Sequence, residues 1–256
     1  MHIHILGICG TFMGGVASLA NASGYRVTGC DTNVYPPMST QLQSIGIELI
    51  EGFDKKQTEL KPDLYVIGNV VSRGNPLMEE IMNQGLPYIS GPQWLYEAIL
   101  RDKWVLAVAG THGKTTTSSM LAWILEFNGY APGFLIGGVP LNFDGSARLP
   151  QKNKSNEVSP FFVIEADEYD TAFFDKGPKF MHYDPCVTVL TSVEFDHADI
   201  FNDIEAIKTQ FHHLVRTIPS EGQIIYPSDE PHIEATLEKG CWTPKVQIGV
   251  DWQYKL

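Results

Sequence analysis

One junction constrains this chain more than any other feature. The continuous apolar run Trp104 to Ala109 breaks directly onto Gly110-Thr111-His112-Gly113-Lys114-Thr115-Thr116-Thr117, and a helical pattern then runs to Phe127 with Gly129 as its stop. A run that is apolar at every residue reads as a strand buried on both faces, which is the habit of parallel sheets flanked by helices. Glycines placed where such a strand hands over to a helix let backbone N–H groups turn toward a polyphosphate, and the helix N-terminus adds its positive dipole. From that loop Lys114 reaches β- and γ-phosphates, and the Thr115 hydroxyl ligates magnesium. ATP and Mg2+ are therefore the expected cofactors, bound by Gly110, Thr111, His112, Gly113, Lys114, Thr115 and Thr116. The general pattern for such loops has one more glycine, five residues before Gly113, where this chain carries Val108. The competing reading, a glycine-rich turn with an exposed lysine, ignores the agreement of strand, loop, Lys-Thr pair and helix.

Around this junction the chain divides into two α/β units, as its 256 residues already suggest. In the first, strand-like runs at 2–7, 25–30, 64–68 and 88–90 alternate with helical stretches, one of them opening at Ser39 as N-cap. The second begins with the apolar strand at Trp104 and continues through apolar runs at 161–164, 187–193 and 223–226. The expected fold class is α/β, with a Rossmann-like parallel-sheet domain over residues 1–100 and a phosphate-loop α/β domain over 101–256. Hydrophobic residues make up 43% of the chain and charged residues 19%, enough apolar material for two real cores. A formal net charge of −12 leaves no basic stripe to neutralise a nucleic-acid backbone, so no nucleic-acid partner is expected. Cys9, Cys30, Cys186 and Cys241 are far apart and form no CxxC pair, which fits reduced thiols in a cytoplasmic protein. No apolar run is long enough to cross a bilayer, so no membrane association is expected either.

A phosphate loop needs acidic or imidazole groups nearby to hold its metal. Two strands end on such groups: Glu165-Ala166-Asp167-Glu168-Tyr169-Asp170 after Phe161–Ile164, and Glu194-Phe195-Asp196-His197-Ala198-Asp199 after Leu190–Val193. In an open α/β sheet the strand ends face the ligand crevice. Hard magnesium favours hydroxyl and carboxylate oxygens, so Thr115 and Glu165 are the candidate ligands of one cation and His197 of a second. A further glycine turn, Gly7-Ile8-Cys9-Gly10-Thr11-Phe12-Met13-Gly14, follows the first strand, with Asp31 at the end of the second. By itself this reads as a dinucleotide or anion site, or as a tight structural turn, because Cys9 occupies the place of the middle glycine.

Taken in order, Gly110–Thr117, Glu165-Ala166-Asp167-Glu168 and Asp196-His197, behind a glycine-turn domain, resemble the Mur ligases. That resemblance implies an ATP-dependent carbon–nitrogen ligase of peptidoglycan synthesis, and so of cell-wall biogenesis, cell shape and division. It implies that a carboxylate on UDP-N-acetylmuramate is activated as an acyl phosphate and captured by an amine, with Lys114, Glu165 and His197 carrying the chemistry. It also reassigns the first domain from a nicotinamide dinucleotide to a UDP-sugar, with Gly7, Gly10, Thr11, Asp31, Ser72 and Arg73 as candidate contacts. The strings at 31–40, 72–76, 90–95 and 194–201 resemble one branch, which attaches the recycled murein tripeptide L-alanyl-γ-D-glutamyl-meso-diaminopimelate to UDP-N-acetylmuramate. The sister branch, adding free L-alanine, is the alternative; a nicotinamide-dependent oxidoreductase and a non-catalytic nucleotide-binding module are the remaining readings. The resemblance further implies a rest of the central domain and a third, C-terminal ligase domain beyond Leu256. On that reading the chain is expected to bind ligands and not to ligate unaided.

Overall fold

The computed structural model describes residues 1–195, 201 and 203–251. Two compact units are present: Met1–Ile99 with Gly137–Leu149 and Asp170–Lys176, and Leu100–Ile136 with Pro150–Tyr169 and Gly177–Leu256. The chain passes from the first unit to the second between Ile99 and Leu100 and returns to the first at Gly137–Leu149 and Asp170–Lys176.

The first unit is a run of β/α crossovers. Its strands are β1 (His2–Leu6), β2 (Arg26–Asp31), β3 (Glu48–Glu51), β4 (Leu64–Ile67) and β5 (Tyr88–Ser90). The principal helices are α1 (Thr11–Ala22), α2 (Met38–Ser44), α3 (Pro76–Asn83) and α4 (Gly91–Leu95). The sheet order is β3-β2-β1-β4-β5 and each pairing is parallel. The order reverses between β1 and β4, where open α/β sheets place their ligand crevice. Leu6, Cys30, Tyr65, Ile67, Leu77, Met78 and Ile81 form a core cluster on this sheet, and Phe173 packs against it. That packing explains why Asp170–Lys176 belongs to this unit: Phe174 sets its ring edge-on to Tyr88 at 4.9 Å, and the Ser90 hydroxyl donates to the Asp175 carboxylate at 2.8 Å. The helix expected to have Ser39 as its N-cap starts two residues earlier, with Pro37 as its N-cap and Ser39 buried inside it.

In the second unit β6 (Trp104–Ala109) leads into α5 (Lys114–Phe127), followed by β7 (Gly133–Leu135). The short β8 (Ala147–Arg148) lies in the first unit and contacts α1. Then come β9 (Phe161–Ala166), the short strands β10 (Asp170–Ala172) and β11 (Asp175–Pro178), β12 (Val187–Leu190), α6 (Ile204–Val215), β13 (Gln223–Pro227), α7 (Pro231–Glu238) and β14 (Lys245–Ile248). The sheet runs β14-β13-β12-β6-β9-β7, so β6 is central and its neighbours β9 and β12 pair with it in parallel. On α5 the large apolar residues Met120 and Ile124 are 54% and 56% exposed, while Ser118 and Ala122 are buried. A helix launched by a four-residue loop sits close to β6 and β9, and small side chains are what that approach admits. Among the described residues no helix is long and apolar enough to cross a membrane.

The N-terminal strand also buries two imidazoles. His4 Nε2 lies 3.1 Å from Gln57 Oε1, which only accepts, so Nε2 carries the proton and Nδ1 accepts from the Thr28 hydroxyl at 2.8 Å. The Thr28 oxygen then accepts from His2 Nε2 at 2.9 Å. Burial holds the His4 pKa down, from the ordinary 6.5 to about 4. Because the folded value lies below the unfolded one, this neutral histidine contributes its full stability above pH 6.5 and loses it as pH falls toward about 4. The total at stake is about 3 kcal/mol. Urea unfolding at pH 7 and pH 4.5 is expected to show a shallower acid loss for His4→Gln than for wild type; parallel losses would exclude His4 as a source of acid sensitivity.

Candidate functional site: a phosphate loop between two strand ends

Register alone brings the key residues together. Val108 pairs with Glu165 and Ala109 with Ala166 on one side of β6, while Leu190 pairs with Ala109 on the other. The loop after β6 therefore lies between the carboxyl ends of β9 and β12. The chain crosses β6 at this point on its way from β9 to β12, so the loop occupies the switch point of the sheet.

The end of β12 pins the loop. Thr111 N–H donates to the Ser192 carbonyl at 3.0 Å, and His112 N–H donates to the Ser192 hydroxyl at 3.1 Å. The Thr191 hydroxyl donates to the His112 carbonyl at 2.6 Å, and Glu194 N–H donates to the Thr111 hydroxyl at 3.1 Å. Gly110 has φ +148°, and a Cβ there would meet the Ser192 backbone nitrogen at 2.9 Å, so only glycine passes this point without displacement. Gly113 is the N-cap of α5 in the left-handed conformation, with no side-chain cap over the first-turn N–H groups. Those uncapped groups, at the positive end of a 14-residue helix, form a cradle suited to an anion. Thr116 lies exposed in that same first turn.

Lys114 and Thr115 each meet a carboxylate from the end of β9. Lys114 Nζ donates to the Gly110 carbonyl at 2.6 Å and to Glu168 at 2.9 Å, with side-chain exposures of 13% for Lys114 and 1% for Glu168. Burial raises the Glu168 pKa, and the Lys114 charge works against that rise. The Thr115 hydroxyl donates to Glu165 Oε1 at 3.0 Å, so the two expected magnesium ligands share one spot. Among the described residues no three His, Cys, Asp or Glu side chains converge as a metal cage. A hydroxyl and one carboxylate still suit magnesium at a nucleotide, since that cation keeps waters and draws further ligands from phosphate. His197, the expected second ligand, lies outside the described residues. The exposed His112 ring stands 3.9 Å from Glu194, and its place in the loop comes from its backbone.

In the first unit Gly7 and the 68–75 loop follow the ends of the adjacent strands β1 and β4, and Asp31 is the last residue of β2 on the other side of β1. Gly7 has φ +79°, and Gly10 caps α1 without a side-chain bond. Asp31 is buried and already engaged, accepting from Cys9 N–H at 3.0 Å and from Asn33 N–H at 3.3 Å. Its observed work is to hold the glycine turn in shape. Arg73 makes a bidentate pair with Glu79 at 2.9 and 3.1 Å, while Thr11 and Ser72 are exposed. Sequence reasoning missed Glu168 as the partner of Lys114 and Thr191–Ser192 as the brace of the loop. Adjacency of β12 to β6 is what reveals the brace, and no motif encodes it.

Residues 2–103 match the sequence profile described as Mur ligase family, catalytic domain, and residues 108–254 match the Mur ligase middle domain. The UDP-N-acetylmuramate–L-alanyl-gamma-D-glutamyl-meso-2,6-diaminoheptandioate ligase of Escherichia coli K12 is 58% identical over 257 residues, covering 100% of this chain and 55% of that protein. The UDP-N-acetylmuramate–L-alanine ligase of Geotalea uraniireducens Rf4 is 34% identical over 231 residues, covering 90% of this chain and 47% of that protein. The crystal structure of the UDP-N-acetylmuramate:L-alanyl-gamma-D-glutamyl-meso-diaminopimelate ligase from Neisseria meningitides superposes with a TM-score of 0.94 at 63% identity, covering 97% of this chain and 78% of that one. The chain spans about half the length of the curated relatives it matches.

The Ser192 hydroxyl braces the loop through two hydrogen bonds, to the Thr111 hydroxyl and from His112 N–H, in a residue that is 7% exposed. Ser192→Ala is expected to cost about 1–2 kcal/mol in urea unfolding. An unchanged midpoint would show that the brace contributes nothing to stability.

Proposed function

This chain belongs to the Mur ligase family, and we propose that it carries the UDP-sugar-binding and ATP-binding parts of a ligase that joins L-alanyl-γ-D-glutamyl-meso-diaminopimelate to UDP-N-acetylmuramate. The observation that carries the reading is the meeting of Lys114, Thr115 and Glu165 at the mouth of an uncapped helix, on the switch point of a parallel sheet. The choice of branch is supported by an identity to relatives named for the tripeptide that far exceeds the identity to those named for L-alanine. Peptidoglycan recycling in the cytoplasm is the setting this reading implies.

The N–H groups of Gly110–Thr116 and the Lys114 ammonium hold the phosphates of ATP. Thr115 and Glu165 hold Mg2+, with His197 offered to a second cation. Magnesium supplies charge neutralisation for the transferred phosphoryl group, which together with positioning is the greater part of what phosphoryl transfer requires. In the first unit Gly7, Gly10 and Thr11 present the α1 N-terminus to the UDP group, Asp31 keeps that turn in place, and Ser72 and Arg73 line the neighbouring loop. The lactyl carboxylate of the substrate attacks the γ-phosphorus and ADP leaves. The tripeptide α-amine then attacks the acyl phosphate carbonyl, loses its proton and expels inorganic phosphate, so one amide forms as one phosphoanhydride is spent. Before nucleotide arrives, Lys114 is parked on Glu168 and the Gly110 carbonyl. Its move toward phosphate exchanges one anionic partner for another, so the cation is never left uncompensated in a half-buried site.

Two measurements test this. Binding of a fluorescent ATP analogue with Mg2+ by this chain is expected to be lost in Lys114→Ala; equal binding by wild type and variant would remove Lys114 from the site. In the full gene product, with UDP-N-acetylmuramate, ATP and Mg2+, phosphate release is expected with the tripeptide and not with free L-alanine. Release mainly with L-alanine would move the protein to the sister branch, and silence with both would discard the ligase reading.

A further inference from the structure

The strands β6, β12 and β13 are mostly apolar along their length, the pattern of parallel strands buried on both faces. Only one of those faces is fully covered. In β12 Thr188 and Leu190 are buried while Val187 and Val189 are half-buried, and in β13 Ile224 and Tyr226 are buried while Ile225 is half-buried. The alternation belongs to the sheet as a whole. Val187 pairs with Leu106 of β6, Val189 with Ile225, and Ile225 with Val246 of β14, so these five residues stand on one face. Leu106 and Val246 are half-buried too, and Trp104, on the same side of β6, is 52% exposed. Topology explains the difference between the faces. From β6 the chain passes β9 to reach β7 through α5, whereas from β12 it travels the other way, through α6 to β13 and α7 to β14. Crossovers between parallel strands are right-handed, so connections that travel in opposite directions lie on opposite faces. α6 and α7 therefore share one face, and α5 lies on the other, over β9 and β6. Among the described residues no other crossover helix of this unit lies on the face of α5.

We infer that the apolar strip beside α5 is an intramolecular docking surface, covered by one or two apolar-faced helices from the part of the gene product outside these 256 residues. Parallel sheets carry helices on both faces, and this sheet has its second layer over only two of its strands. Strands about 4.8 Å apart make the strip from β6 to β14 about 14 Å wide, room for one or two helices at interaxial distances of about 9 Å. α5 offers them a flank of matching kind. Its exposed Met120, Trp123, Ile124 and Phe127 recur at the three- and four-residue spacings through which helices interdigitate. Neither the strip nor this ridge carries a charge, so covering them takes no ion out of water. A second copy would bring another net charge of −12 to the same place, and an open sheet face in place of helices. The length for a cover in the same polypeptide exists in the relatives, since the chain corresponds to 55% of the Escherichia coli protein. The strip reaches Val189, two residues before the Thr191 hydroxyl that holds the phosphate loop, so the added helices stand behind the loop-bearing end of the sheet. The inference holds whatever reaction that end performs.

The test is hydroxyl-radical footprinting read by mass spectrometry, on this chain and on the full gene product, without ligand and over a range of protein concentrations. Leu106 and Ile225 are expected to be oxidised in this chain and about tenfold more slowly in the full product, as for side chains taken from a solvated surface into a core. That ratio is expected to be the same at every concentration, and Ile224, on the covered face, to stay unlabelled in both proteins. Equal oxidation of Leu106 and Ile225 in the two proteins overturns the inference, by making the strip a solvent-facing surface. Protection that grows with concentration in this chain, or that fades when the full product is diluted, overturns it as well and assigns the face to a second copy. None of these readings involves nucleotide or substrate, so the ligase proposal stands or falls separately.

Discussion

The site depends on the parallel register that holds β6 between β9 and β12. Pairing Val108 with Glu165 and Leu190 with Ala109 brings three strand ends level, so one loop receives support from both sides at once. From β12 come Thr191 and Ser192, whose hydroxyls and backbone take up the polar groups of residues 110–112. From β9 come Glu165 and Glu168, which meet the hydroxyl of Thr115 and the ammonium of Lys114. A slip of one residue would turn these side chains to the opposite face of the sheet and remove the partners of both. Burial of the strands on both faces is what makes such a slip costly.

The electrostatics follow from that arrangement. A chain of net charge −12 brings several carboxylates to the uncapped end of α5, which is tolerable only if cations are supplied locally. Lys114 and Lys179 do this in pairs with Glu168 and Asp167, both lysines being mostly shielded from water. Glu165 accepts from the Thr115 hydroxyl, and a hydroxyl beside a carboxylate is the combination a hard divalent cation prefers. The first unit solves a related problem with different means. Its glycine turn presents an uncapped helix end, and the buried Asp31 carboxylate is occupied by backbone amides that fix the turn.

Much of this was legible beforehand for identifiable reasons. Trp104–Ala109 followed by Gly110–Thr117 joins a two-faced buried strand to a helix across a loop with one dominant chemistry, so strand, loop, helix and ligand class were read together. The acidic run 165–168 was visible as composition at a strand end, and the structure confines one of its members to Thr115 and another to Lys114. The helix α5 shows the limit of periodicity. Its large apolar residues Met120 and Ile124 are exposed and its buried positions are Ser118 and Ala122, because closeness of approach outweighs side-chain size there.

Sequence by itself determined the class of fold, the phosphate loop, the carboxylates at the strand end and the family, because each is a local pattern of residue types at fixed spacing. Only the tertiary structure decided which partner each charge has, that Ser192 braces a loop some eighty residues away, and that Phe173, Phe174 and Asp175 serve the first unit although they follow the strand end of the second. The physical reason is the same in each case. A hydrogen bond or an ion pair is a property of two groups at about 3 Å, and residues far apart in sequence reach that distance only after sheet order and register have been chosen by the burial of the whole core.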